Sequence, residues 1–338
     1  MASGSGKSNG TTNGGKHGNG SGSGNGAGTR GPGAKRVRAR ARGNGSRGIT
    51  PAPVRPGDAV QGKLAKGTLI IIGGHEDKEG DKLILRAVAE QVGSGKLVVA
   101  TVASEKPGDL FDTYEPIFRG LGVRHVYHLD VESREEAKSE RKLRILDGAD
   151  GVFFTGGDQL KLTSQLGDSP IYERLREIYF DGGTIAGTSA GASVMAETMM
   201  VSGEGAESNR IGGSLRMAPG FGFIPGVIID QHFAERGRIG RLVGAVAQNP
   251  RILGVGLDED TAIVCGPRAT FRVLGKGAVY VVDGADMSYT NLTDEATDRT
   301  LSVYGVRMHL LSMGDEFDLT TRVATSHPAE EVEEELVG

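Results

Sequence analysis

Between about residue 66 and residue 190, short runs of consecutive apolar residues alternate with longer stretches in which apolar positions recur every three or four residues. Thr68 to Ile72, Leu97 to Val102, Val123 to Leu129, Gly151 to Thr155 and Thr184 to Ala186 are runs of the first kind. Short apolar runs without polar alternation predict strands buried on both faces. Asp81 to Val92 is of the second kind: Leu83, Ile84, Ala87, Val88 and Val92 share one face, which predicts a helix. The charged stretch Glu132 to Leu146 and the segment Ile171 to Phe180 also predict helices, and a further one is expected to begin near Ala190. This alternation implies an α/β fold of three layers, a mostly parallel sheet with helices on both faces. Further along, Val227 to Asp230, Thr261 to Val264, Thr270 to Leu274, Ala278 to Val282 and Leu301 to Leu311 read as shorter strands and hairpins. No internal repeat interrupts the series, so one α/β domain over residues 63–325 is expected.

Composition changes the picture at the two ends. Residues 1–62 are rich in Gly, Ser, Asn, Lys and Arg and contain no aromatic residue, so they are expected to form a disordered tail. Residues 326–338, with the run Glu330-Glu331-Val332-Glu333-Glu334-Glu335, are expected to be an acidic solvated tail. The formal net charge of -4 hides this asymmetry, because residues 1–57 hold ten of the 39 basic residues and none of the 43 acidic ones. The remainder therefore carries about -14, which disfavours nucleic acid as a partner. Cys265 is the one cysteine, which rules out an internal disulfide and fits a reducing, cytoplasmic compartment. The longest apolar runs, such as Leu69 to Ile72, are far too short to cross a bilayer, so no membrane contact is expected.

Chemistry concentrates in Gly187-Thr188-Ser189-Ala190-Gly191, where a buried strand runs through Gly-x-Ser-x-Gly into a helix. A serine on so tight a turn is exposed as a nucleophile, and the glycines leave room for the neighbouring strand and helix. The helix start also directs free N–H groups, beginning with that of Ala190, at a developing oxyanion. A second turn, Thr155-Gly156-Gly157-Asp158-Gln159, would add the N–H groups of Gly157 and Asp158. Ser189 needs a base, and His232 is preferred because it ends the apolar run Val227 to Gln231, where a strand delivers side chains to a carboxyl-end crevice. His75 could reach the edge of the site. His125, His128 and His309 lie on or beside apolar strands and read as structural, while His17 and His327 lie in the tails. The acid that fixes the base must come from Asp258, Glu259 or Asp260, between which spacing does not choose. The order Ser, His, acid departs from that of the α/β-hydrolases and lowers the rank of an esterase. No Walker loop, dinucleotide fingerprint or His-Glu-x-x-His motif is present, so no metal and no cofactor are expected.

These residues carry a resemblance to the cyanophycinases, a branch of the peptidase E-like serine peptidases. It spans about residues 66–322 and rests on five blocks: Ile72-Gly73-Gly74 with Glu76-Asp77-Lys78, Thr155 to Gln159, Gly187 to Ala192, Asp230-Gln231-His232-Phe233 with the arginines that follow, and Gly256 to Ala262. The resemblance implies a class I glutamine-amidotransferase-like fold and a triad of Ser189, His232 and Glu259. It implies hydrolysis of the polyaspartate backbone of cyanophycin, multi-L-arginyl-poly-L-aspartate, to β-Asp-Arg dipeptides by an exopeptidase, with a homodimer as the expected assembly. A substrate pocket of Gln159, Asp230, Gln231, Arg236, Arg238 and Arg241 is also implied, Asp230 meeting the guanidinium and the arginines meeting carboxylates. His75 has no counterpart in the family pattern. The neighbouring expectations are a peptidase E-like dipeptidase acting on Asp-X dipeptides and an inactive granule-binding protein.

Overall fold

The computed structural model describes residues 66–202, 215–294 and 299–326. Apart from Ser326, the two expected tails lie outside the described residues.

The first half of the chain runs β1 (Thr68–Ile72), α1 (Leu83–Val92), β2 (Lys96–Ala100), α2 (Pro107–Gly120), β3 (His125–Leu129), α3 (Glu140–Leu143), β4 (Gly151–Phe154), α4 (Gln159–Leu166), α5 (Pro170–Asp181), β5 (Thr184–Thr188) and α6 (Ala190–Ser193). The second half continues β6 (Thr198–Met200), β7 (Met217–Pro219), β8 (Val227–Gln231), α7 (Ile239–Gln248), β9 (Leu253–Leu257), β10 (Thr261–Cys265), β11 (Thr270–Gly275), β12 (Val279–Asp283), β13 (Tyr289–Thr290), β14 (Val303–Tyr304), β15 (Arg307–Leu311), β16 (Glu316–Asp318) and β17 (Val323–Thr325). Nine strands form one sheet in the order β17-β16-β11-β10-β1-β5-β4-β2-β3, and four form a second, β15-β12-β9-β8.

The α/β expectation holds, and the sheet is mixed. β1, β5, β4, β2 and β3 pair in parallel, whereas β10, β11, β16 and β17 add on antiparallel from the β1 side. In the parallel half, strand residues alternate between two cores. Leu69 and Ile71 of β1 and Val98 of β2 join Leu162, Leu166, Leu175 and Ile178 of α4 and α5. Ile70, Ile72, Leu97 and Val99 instead join Leu85 and Val88 of α1 and Tyr114 and Phe118 of α2. Helices on both faces are why these strands read as unbroken apolar runs. The second sheet shares one core with the first through Ile229, Val255, Leu257 and Val281, and α7 covers its other face with Leu242, Ala245 and Val246 packed against Ile228 and Val282.

Two expected helices are shorter than their sequence suggests. Over 132–146 the chain forms a 3-10 turn, the four-residue α3 and another 3-10 turn, broken at Ser139 by an extended backbone. Of its residues, only Ala137 and Leu146 are fully buried, with Leu143 and Ile145 packed at the edge of the core, so the apolar anchorage is concentrated at the end of the segment and no continuous stripe holds one long helix. The helix after the elbow, α6, is four residues long, all of them buried, and ends at Val194. Conversely, no element is expected over 107–120, where α2 forms. Pro107, Gly108 and Pro116 obscure its periodicity, and burial of Tyr114 and Phe118 against β4 outweighs them.

Candidate active site

The exit of β1 organises everything near Ser189. Three successive carbonyls, those of Ile72, Gly73 and Gly74, accept the backbone N–H groups of Ser189 (3.1 Å), His232 (2.8 Å) and Asp260 (2.9 Å) respectively. Three distant segments, the turns after β5, after β8 and between β9 and β10, are thereby pinned side by side beyond the carboxyl ends of parallel strands. Ser189, His232 and Asp260 all hold positive φ, at 54°, 48° and 47°, and His75 does so at 46°. Among the described residues, four of the seven non-glycine residues in this region of backbone space thus gather here, a strain the surrounding structure must impose.

Ser189 caps α6 at the end of β5, as the Gly-x-Ser-x-Gly pattern implies. A Cβ on Gly187 would come within 2.6 Å of the Gly191 backbone, and one on Gly191 within 2.5 Å of the Phe154 carbonyl, so neither position admits a side chain. The His232 ring lies over Gly74, where a Cβ would stand 2.2 Å from ring carbon Cε1.

Ser189 Oγ lies 2.9 Å from His232 Nε2, and His232 Nδ1 lies 2.6 Å from Glu259 Oε1. When Nδ1 donates to the carboxylate, Nε2 is left as the acceptor facing the serine hydroxyl. Burial lowers the His232 pKa, with Arg236 and His75 acting in the same direction and the Glu259 hydrogen bond opposing them. For Glu259, burial raises the pKa, but hydrogen bonds from His75 and His232 outweigh it and hold the carboxyl below its usual range. The site therefore combines a neutral imidazole with an ionised carboxylate near neutral pH.

The three carboxylates left open by spacing have separate tasks. Asp258 is buried and accepts from Ala234 N (2.9 Å) and Ala278 N (3.1 Å), tying two loops together. Asp260 accepts from Asp77 N at 2.8 Å and pairs with Lys276 at 3.1 Å. Glu259 is the one that meets His232. Its other oxygen, Oε2, lies 2.8 Å from Nδ1 of His75, so His75 does reach the edge of the site. His128 bonds Thr101 Oγ1 at 2.7 Å, the satisfied structural role expected of it, whereas His309 packs on Phe317 with its buried Nε2 unbonded among the described residues. Cys265 is buried, and burial pushes its thiol up to about 12, which leaves it inert as a nucleophile.

One buried carboxylate was given no role by the sequence. Glu76 is 3% exposed and receives hydrogen bonds from Thr188 Oγ1 and Tyr114 Oη, each at 2.5 Å, with Lys78 Nζ at 2.8 Å. It grips the residue before Ser189 and so fixes the elbow from behind. The signal was present in Glu76-Asp77-Lys78 directly after the Gly-Gly turn, but nothing local shows that this loop folds back on β5.

Two expectations are corrected. Asp158 is not an oxyanion donor: its N–H is donated to the Ala103 carbonyl at 2.9 Å, and its side chain caps α4 by accepting from Leu160 N. The expected pocket is also divided. Asp230 is 1% exposed, and its two oxygens are taken by Nε (2.8 Å) and Nη2 (2.5 Å) of Arg241, with Arg238 Nη1 at 3.3 Å. Arg238 and Arg241 are themselves buried, and Arg238 also donates to the carbonyl and to Oε1 of Gln231, whose amide reaches Ser193 Oγ at 3.3 Å. Asp230, Gln231, Arg238 and Arg241 thus bond one another inside the protein instead of facing a ligand. Of the six residues, Arg236 is exposed and Gln159 half-buried, the latter donating to the Met200 carbonyl at 3.0 Å.

No helix among the described residues is long and apolar enough to cross a membrane. The sequence description of peptidase family S51 matches residues 68–270. Curated proteins named cyanophycinase are similar over most of the chain. The protein of Synechococcus elongatus is 41% identical over 260 residues, 76% of this chain and 80% of that one. The protein of Nostoc sp. (strain PCC 7120) is 41% identical over 264 residues, 77% and 88% of the two chains, and that of Geminocystis herdmanii is 38% identical over 260 residues, 76% and 95%. Among solved structures, a peptidase from an acI-B1 actinobacterium shares the fold with a TM-score of 0.57 at 20% identity, over 76% of this chain and 98% of that one.

Proposed function

The chain belongs to peptidase family S51, and on that premise we propose that it is a serine-type hydrolase of cyanophycin in which Ser189, His232 and Glu259 form the catalytic triad. The observation that carries this reading is the relay from Ser189 Oγ through both ring nitrogens of His232 to Glu259, in a chain similar to curated cyanophycinases. Ser189 Oγ attacks the backbone carbonyl of the polyaspartate while His232 Nε2 takes its proton, and Glu259 stabilises the imidazolium through Nδ1–H. The N–H groups of Gly157 and Ala190 are assigned to the oxyanion. His232 returns the proton to the leaving amine, and a water activated by the same nitrogen then hydrolyses the acyl-enzyme, one of the two products being a β-Asp-Arg dipeptide when a chain end is cleaved. Arg236, exposed four residues after the base, is assigned to a substrate carboxylate, and Gln159 to the rim of the pocket.

A cytoplasmic location is part of the proposal, supported by the buried, free Cys265 thiol. So is a homodimer, supported by the edge strand β15, where Met308 and Leu310 are 52% and 63% exposed. Incubating the protein with insoluble cyanophycin and weighing the soluble products by mass spectrometry tests the reading. Asp-Arg dipeptide is expected from the parent and none from Ser189→Ala. Equal release by both, or none by the parent, overturns it.

A further inference from the structure

The proposed triad needs one imidazole on its acid, and Glu259 has two. His75 Nδ1 lies 2.8 Å from Oε2 and His232 Nδ1 2.6 Å from Oε1, with the two rings edge to face at 5.2 Å between centroids. His75 comes from the loop after β1, takes no part in the relay, and has a side chain 73% exposed to water. Its donor atom and those of His232 and Glu259 all lie within 4.8 Å of one another. Two imidazoles and one carboxylate from three segments, converging at the surface, are the donor set favoured by zinc and its neighbours and not by magnesium or calcium.

We propose that a zinc-like divalent ion binds His75, His232 and Glu259 and, by occupying the base, reversibly shuts the hydrolase off. The inhibitory half rests on the function proposed above; the binding half does not. A zinc ion holds nitrogen at about 2.0–2.1 Å and oxygen at about 2.0–2.2 Å. Ligands around it therefore stand roughly 3.3 Å apart, so both Nδ1-to-oxygen distances must open slightly, by rotation of the exposed His75 ring and of the partly exposed Glu259 side chain between the two rings. Each neutral ring that coordinates through Nδ1 must keep its single proton on Nε2. On His232 that places N–H opposite Ser189 Oγ, where an acceptor is required, and proton abstraction stops. The ion replaces two N–H···O hydrogen bonds by coordination, water fills the remaining position, and no redox change is involved.

The test uses full-length protein stripped with a chelator. Titration with zinc chloride in a calorimeter is expected to show one ion per chain that depends on these residues, with affinity lowered at least about tenfold in His75→Asn and in Glu259→Gln. Asn tolerates the left-handed backbone at 75, so the variant keeps the loop. Relative to its own zinc-free rate, His75→Asn should need at least about tenfold more zinc for half inhibition than the parent, chelator should restore the parent, and magnesium chloride should inhibit neither. Ions held elsewhere leave the difference between parent and variant intact. Zinc binding or inhibition that is indifferent to His75→Asn, or no zinc binding at all, overturns the proposal. A parent that binds zinc through these residues yet cleaves no cyanophycin keeps the metal site and removes the functional reading; one that cleaves but binds no zinc does the reverse.

Discussion

Two polar clusters share the segment from Asp230 to Arg241, and they differ in what they leave open. Asp230, Gln231, Arg238 and Arg241 are all buried, and both guanidinium groups turn inward onto the one carboxylate of Asp230. One residue further on, His232 joins a row that ends in water on both sides, at the half-buried Ser189 and at the exposed His75. Burial of an internally hydrogen-bonded ion cluster fixes conformation and leaves little to react. The open row keeps the proposed nucleophile, a neutral imidazole and a carboxylate within reach of a ligand. Adjacent residues, Gln231 at the end of β8 and His232 just beyond it, thus belong to a clamp and to the proposed reaction centre, and only the burial of their partners separates the two roles.

The sharpest break between the clusters is expected at the nucleophile. Ser189→Ala and His232→Ala should each lower kcat by about 10⁴-fold or more, and the double variant should be little worse than either, because the residues act as one unit. Single-turnover rates and a thermal melt on the same samples check this, since losses that add, or that follow unfolding, would deny the unit. Glu259→Gln comes next, with kcat down by about 10³–10⁴-fold because the imidazolium loses its counter-charge. Asp258→Asn and Asp260→Asn should each cost far less in rate, and a larger loss in either would reassign the acid.

The closed cluster should respond in stability rather than in turnover. Asp230→Asn leaves two buried guanidinium groups without their carboxylate, an expected loss of about 3–5 kcal/mol in unfolding free energy. Urea denaturation measures it. A variant that unfolds like the parent but no longer distinguishes Arg from neutral side chains in the substrate would return Asp230 to the pocket.

The smallest effect concerns pH. As the proposed base His232 must be neutral, and burial lowers its pKa from the ordinary value near 6.5. Activity should therefore be lost only as pH falls through that lowered value, placing the acidic limb of kcat/KM below about pH 6.5. Arg236→Gln removes a positive charge that disfavours the imidazolium, so the limb should move upward by a fraction of a unit. A limb that moves downward would show that Arg236 does not act on the base.

Much of the parallel half was legible because its signals are local. Buried strands such as β1 and β4 announce themselves by apolar runs, and the elbow by glycines whose absent side chains the packing demands. The helices α2, α4 and α7 drew no expectation, since proline, glycine and polar residues mask a stripe whose worth lies in the partner it covers. Ser189 and His232 could be singled out by type and position, and resemblance selected Glu259 from three neighbours. What the carboxylates and arginines do could not be read in the same way. Asp230 and Glu259 both stand near the carboxyl ends of apolar strands, and no pattern in one dimension says which meets an arginine and which a histidine.

The sequence by itself determined the alternation of strands and helices, the strained serine turn and the residue types available for acid–base work, because each depends on steric and burial preferences within a few residues. Only the tertiary structure decided that Ile72, Gly73 and Gly74 tie Ser189, His232 and Asp260 into one place, that Glu76 holds the elbow through Thr188, that Asp158 spends its N–H on Ala103, and that Asp230 is closed by Arg241. Those are contacts between segments far apart in the chain. A hydrogen bond or an ion pair of that kind exists only once the sheet has brought both partners together, so its role is a property of the fold and not of either residue.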